Sequence, residues 1–283
     1  MSKEAKMRQA ISYRLFTKYG VVISPQDLKS VFDDYIVEDE IIQLIEAEKE
    51  WLDFFESRVK FIDNIRNPFG IYLEVRNKCE TEGEYTYSSF DWKENGKITT
   101  KTKKEDYIPH NPDKIQVIVI DHASLIQPER GQSQYDAIGK LSSDYILEMR
   151  DTWKCQICLI QQQTPTSESQ QYTMIGGTIL DKVRPTADNL GYNKSTAQDA
   201  NLMLSIFHPQ RYNQKKYNGI DLEKMDDSHR EIMINLNRDG INNAAEDLYF
   251  NGAVNYFEEI DKNNLDALYE KVIKLKDKRY KNA

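Results

Sequence analysis

Cysteine is scarce in this chain. Three cysteines in 283 residues, an odd number, exclude a fully paired disulfide framework and fit a reducing, cytoplasmic compartment, of a cell or of an infected host. An excess of basic charge is missing too. Thirty-eight Lys and Arg face 46 Asp and Glu, for a net charge of -8. No global field therefore draws the chain to nucleic acid, and any such contact needs local patches. No apolar run approaches the roughly 18 residues that a membrane span needs. The opening "MSKEAKMRQA" has no apolar signal core. Internal repeats and linkers are absent as well. What remains is 39% hydrophobic, 30% charged and 11% aromatic. That is a globular composition, long enough for one large domain or two small ones.

The pattern of what is present alternates strand and helix. Met7, Ile11, Leu15 and Phe16 share one face of a helix over 2–19, and Gly20 stops it. "SPQD" starts another, with Ser24 as cap and Pro25 in the first turn. Apolar positions from Ile41 to Phe55 predict one long helix over about 38–57. "RVKFID" reads as a short strand, and "PFGIYLEVRNKCE" as a helix after a turn. Residues 81–109 alternate polar with aromatic or β-branched residues around Asn95-Gly96, a hairpin signal. It reads as a surface insertion whose Lys97, Lys101, Lys103 and Lys104 form a basic strip, either solvated or touching nucleic acid. Further on, strands are expected at 115–120, 155–161, 201–207, 231–237, 247–251 and 254–257, a helix at 134–150, and a basic helix from Leu265 to Lys281. The fold class is α/β, with a sheet that is parallel first and antiparallel later. Residues 162–196 have no period and are too long for an idle connection.

"VIVIDHASLI" carries the first chemical signal. An apolar strand runs into Asp121, and strand C-termini line the ligand crevice of a parallel sheet. A carboxylate there can hold Mg²⁺ through water beside nucleotide phosphates. Taken alone, an Asp capping the next element is the better reading. A second apolar strand, however, ends in Gln161. Gln198 and Asp199 precede a third, and a fourth ends in Arg238 before an Asp-Gly turn. Cys155 and Cys158 form a Cys-x-x-Cys on an apolar strand with no second pair, so buried thiols outweigh a zinc or redox site. His122 reads as a packing residue or a neighbour supporting Asp121, rather than as a base. His110, His208 and His229 show no ligand spacing.

Five segments in order, "IDHASLI", "LIQQQ", "AQDANLM", "NLNRDG" and "YFNGAVNYF", resemble the ATPase domain of DnaB-type replicative helicases, a branch of the RecA-like ATPases. The resemblance covers nearly the whole chain, as a domain over 1–262 followed by the basic helix of 263–283. The variant residues and the 81–109 insertion resemble a phage-type member. It implies ATP and Mg as cofactors. It also implies single-stranded DNA in a homo-oligomeric, hexameric ring, with primase or a helicase loader as partners. By resemblance, Asp121 is the metal-facing carboxylate and Gln161 the sensor of the γ-phosphate. Arg238 is then a finger reaching a neighbouring subunit's site. "DNLGYNKS" matches a loop facing DNA, so Gly191, Tyr192, Asn193 and Lys194 become DNA-binding candidates, with Tyr192 able to stack on a base and Lys194 to meet a phosphate. Leu236 stands where the family has a lysine, removing one cation from the contact across subunits.

The family's Gly-x-x-x-x-Gly-Lys-Ser/Thr loop is not in this sequence; Gly139-Lys140 is followed by Leu141 and falls on an expected helix. The resemblance places this loop and the water-activating Glu just before "MSKEAKM". The expectation is a chain that is inactive alone and pairs with an upstream helicase fragment. The rival is a non-hydrolysing protein of the same fold that binds DNA or a helicase partner. A recombinase or clock-type RecA relative is a third reading, less favoured because of the Phe-Asn-Gly ending.

Overall fold

The computed structural model describes residues 3–29, 37–163, 183–187, 190 and 193–281, with side chains described through residue 276. They form two compact units. One holds the described residues of 1–63, 170–184 and 204–283, and the other those of 64–169 and 185–203. Gly191 and Tyr192 lie outside the described residues, as does most of 162–196.

In the first unit, α1 (Lys3–Tyr19) buries Ile11 and Leu15 with Ile23, and Ile41, Leu44, Ile45 and Leu52 pack on them. Ser24 and Asp27 bond reciprocally, capping a single three-residue turn at Asp27–Lys29. The expected helix over 38–57 is two: α2 (Asp39–Ala47) and α3 (Lys49–Arg58). Glu48 interrupts them at φ -95°, ψ 10°. The apolar period runs through this point, but the break turns the Glu48 carboxylate inward, onto Arg14, Lys18 and Tyr19 of α1. Residues 58–63 are not a strand: Arg58 ends α3, and 59–63 are irregular and join no ladder. Alternation makes a strand only where a neighbouring strand takes up its N–H and C=O groups.

The second unit begins with α4 (Pro68–Thr81), whose Pro at the first position fits an N-terminus lacking partners for its N–H groups. The insertion is a long hairpin, β1 (Gly83–Glu94) and β2 (Lys97–Pro109). Its tip is Asn95 at φ 51° and Gly96 at φ 78°, the paired left-handed geometry that suits the twist of a two-residue hairpin. Then β3 (Val117–Ile120) pairs in parallel with β4 (Gln156–Leu159). Between them the chain is helical from 134 to 153: α5 (Gln134–Lys140), one π-turn segment over 141–146, and α6 (Leu147–Trp153). Ser133 and Asp136 cap α5 reciprocally. Ile118, Ile120, Ile157 and Leu159 pack on Ala137, Ile138 and Leu141. The opposite face of β3 is open, with Val117 and Val119 exposed. Cys79 and Cys155 are buried, with their sulfurs 3.8 Å apart. Cys158, expected inside, is exposed, because it falls on the outward set of β4. A short helix α7 (Ser195–Asp199) follows.

The first unit's sheet runs in the order β10–β9–β8–β5. Its strands are β5 (Leu202–Phe207, whose first two residues fall in the second unit), β8 (His229–Asn237), β9 (Ala245–Asn251) and β10 (Tyr256–Glu259). A two-residue pair, β6 (Lys216–Tyr217) and β7 (Ile220–Asp221), closes beside its core. The apolar stripe of α8 (Leu265–Lys281) buries Tyr269 and Val272 against Phe207, Met233 and Tyr249. β5 is the sheet's edge, and its Leu202, Leu204 and Ile206 are exposed on one face. Among the described residues, no helix is long and apolar enough to cross a membrane.

Candidate functional site

Asp121 and Gln161 come to the same end of one parallel pair. Ile120 is level with Leu159. The ladder continues one step beyond both strands, with Ile160 N–H on Ile120 O at 3.1 Å and Ala123 N–H on Ile160 O at 2.8 Å. The two residues therefore leave the sheet together at its C-terminal side, where ligands of open α/β sheets bind. Asp121's side chain is about half exposed, and Nδ1 of His122 stands 3.6 Å from its Oδ1. His122 thus neighbours the carboxylate, one of the two places expected for it.

Gln161 is held at both ends of its amide. Its Nε2 donates to Asn193 O at 3.1 Å, and its Oε1 accepts from Thr196 Oγ1 at 2.9 Å. Thr196 also donates to Asn193 O at 2.9 Å. Asn193 is buried. Its Nδ2 donates to Tyr135 O at 2.9 Å, and its Oδ1 accepts from the backbone and hydroxyl of Ser195 at 2.8 and 2.6 Å. The inward turn of Asn193 depends on Gly139: a Cβ there would stand 2.8 Å from Asn193 Nδ2. That is the use of the glycine in the Gly-Lys pair that imitates a phosphate loop. Asn193 is therefore an internal brace, while neighbouring Lys194 is exposed. Asp199, at the end of α7, accepts from Ser142 at 2.6 Å and Ser143 at 2.8 Å, fixing that helix to the π-turn.

Arg238 lies in the other unit. It is exposed at the end of β8, where the chain turns at Asp239-Gly240 toward β9. Among the described residues no three His, Cys, Asp or Glu side chains converge as a metal cage. A cation shared with nucleotide phosphates needs only one or two protein carboxylates, and a half-exposed carboxylate at a strand end fits that requirement.

Sequence reasoning missed a buried polar network in the first unit. Glu231 and Asp247 face each other directly across β8 and β9, and both are buried. Like charges in that position repel. They are offset by Arg184 and Tyr217 on Glu231, each at 2.8 Å, and by His229 and Lys262 on Asp247, each at 2.8 Å; Asn218 bridges the two. Burial alone would push the Asp247 carboxyl up. The bonds from His229, Lys262 and Asn218 outweigh it and hold it below its ordinary value. The only sequence signal was an acid on the inward phase of each strand.

No protein-family model matches the chain, and no curated protein matches it. Among solved structures it is similar to one described as a DnaB-like replicative helicase and its interactions with primase. The TM-score is 0.58 and the identity 16%, over 92% of this chain. This chain spans 50% of that protein's length. At that identity the likeness is one of fold: an α/β architecture of the DnaB-like kind.

Proposed function

We propose that this chain is the C-terminal portion of a RecA-like replicative helicase of the DnaB type, which couples ATP hydrolysis to translocation on single-stranded DNA and to duplex unwinding. One observation carries the reading: Asp121 and Gln161 emerge side by side from a parallel pair, and Gln161 is bonded to the segment that leads out of the candidate DNA loop. A glutamine clamped between Asn193 O and Thr196 can pass a change at its own end of the sheet to residues 190–194. The DnaB-like fold supports the same reading.

In this scheme Asp121 would hold Mg through water, and bound Mg would supply neutralisation of phosphate charge on ATP. Gln161 meets the γ-phosphate side. Arg238, exposed on a turn, is offered to a neighbouring copy in a hexameric ring. Lys194 meets the DNA backbone, with Gly191 and Tyr192 beside it, and Asn193 positions that loop from within. Primase or a loader would dock on the assembled ring. The phosphate loop is not in these 283 residues; in this scheme a further segment would supply it.

The test is co-expression with a segment that carries Gly-x-x-x-x-Gly-Lys-Ser/Thr. The assembly should hydrolyse ATP in a manner stimulated by single-stranded DNA. Arg238→Ala should lower turnover by about a thousandfold or more with nucleotide binding kept. Loss of binding instead would remove the finger role. The missing loop also favours a second reading, a non-hydrolysing DnaB-like protein that binds DNA or a helicase partner. DNA binding by the assembly without any ATPase would select it.

A further inference from the structure

The 83–109 hairpin takes no part in the site above, and its surface is patterned. In an antiparallel ladder, residues directly opposite each other share a face. The register sets Phe90 opposite Lys101, Trp92 opposite Thr99, Ser88 opposite Lys103 and Glu94 opposite Lys97. One face therefore carries two aromatic rings two residues apart on one strand and three lysines on the other. Phe90 and Trp92 are 41% and 47% exposed, although nothing in the hairpin beyond Tyr85 is buried enough to need them as core. Lys101 Nζ lies 4.6 Å from the centre of the Trp92 ring, so cation and ring do share that face. Glu105 sits at its base, bonded to Ser88 and 3.4 Å from Lys103. The opposite face carries a single ring, Tyr87, opposite Lys104, with Ser89, Asp91 and Lys93 along the same strand and Thr100 donating to Asp91 at 3.0 Å; it lacks a pair of rings two residues apart.

Charge points the same way. On this face Lys97, Lys101 and Lys103 stand against Glu94 and Glu105, in a chain whose net charge is -8. The base of the hairpin is fixed to its unit: Trp153 Nε1 donates to Tyr85 OH at 2.6 Å, and Tyr107 OH to Cys79 O at 2.9 Å. The distal part thus stands as a supported arm.

We propose that this face is a binding site for single-stranded nucleic acid, with bases stacked on Phe90 and Trp92 and phosphates met by Lys97, Lys101 and Lys103. Rings two residues apart on a strand are separated by roughly 6.7 Å, so successive bases of an extended strand can each take one. A duplex keeps its base faces covered and cannot use them. An acidic peptide would answer the lysines but leave the rings unexplained. The inference stands on the hairpin alone and does not depend on ATP binding or ring assembly.

The experiment uses the full 283-residue chain without nucleotide and follows the fluorescence anisotropy of a labelled thymidine 20-mer. Phe90→Ala/Trp92→Ala should weaken binding about tenfold or more, since every base has a face to stack. Lys97→Gln/Lys101→Gln/Lys103→Gln should lower the slope of log affinity against log salt by about two. Tyr87→Ala/Ile98→Ala, on the other face, should leave affinity unchanged. Circular dichroism checks that each variant keeps its strands. The proposal is overturned if the wild type does not bind the 20-mer, or if the aromatic variant binds like the wild type. Equal affinity for a duplex of the same length also overturns it. A loss on Lys194→Ala with none on the hairpin variants overturns it too, while leaving the candidate DNA loop standing.

Discussion

At the scale of the residue, Glu48 shows how far one carboxylate can decide local structure. Its side chain is buried, yet Lys18, Tyr19 and Arg14 bond to it and hold its pKa down to about 2. A folded value below the ordinary 4.5 means that its contribution is fully present above the unfolded pKa. That contribution is lost as pH falls from about 4.5 toward 2. Melting followed by circular dichroism should therefore show stability dropping over that window in the wild type. Glu48→Gln should be less stable at neutral pH and should lose less than the wild type on acidification, the remaining loss coming from other bonded carboxylates such as Asp247. Parallel pH profiles for the two proteins would refute the assignment. None of this was legible in the sequence, because the three donors come from α1, about 30 residues away. The apolar period of residues 41–55 predicted one helix and passed through the acid. Asn193 is a similar case. Its neighbours suggested a loop residue facing DNA, but the open space at Gly139 lets it turn inward, and no periodicity encodes that space. The position of Asp121 and Gln161 at strand ends was legible because each follows an apolar run, whereas their roles came only from the resemblance.

At the scale of the element, the pairing of β8 with β9 rests on a polar interior. Removing one member of a buried, bonded set leaves the others without compensation, which typically costs about 3–5 kcal/mol. Asp247→Ala should thus lower the urea midpoint of unfolding far more than an exposed change such as Glu246→Ala on the same strand. A shift no larger than that control would show the network to be dispensable. The sequence showed these strands and their turn but not the acids' place in them, since a buried acid and a solvent-facing one look alike until the partners are known. The hairpin was the most legible element. Asn95-Gly96 fixed its turn and therefore its register, and the register alone assigns Phe90, Trp92, Lys101 and Lys103 to one face. "RVKFID" had the same local alternation without a turn or a partner, and it forms no strand.

At the scale of the whole molecule, each unit leaves apolar strand surface uncovered. Leu202, Leu204 and Ile206 of β5 are at least half exposed on an edge strand, and Val117 and Val119 of β3 are 65% and 60% exposed on a two-stranded ladder. Parallel strands of α/β proteins are ordinarily covered on both faces. An open, flat, apolar edge is a template for pairing with another chain. Leaving side chains like these in water forgoes about 1.5–3 kcal/mol each, enough together to drive association. The isolated 283-residue chain should therefore self-associate with rising concentration in light scattering, and Leu204→Lys/Ile206→Lys should reduce that association. Co-expression with a segment bearing the phosphate loop should reduce it as well, if that segment covers these surfaces. The two interventions separate the explanations. Relief by lysines alone means sticky edges with no natural occupant. Relief by the added segment, together with gain of ATPase activity, means that the open surfaces are the seat of the other half of the site. A monodisperse monomer at every concentration would remove both.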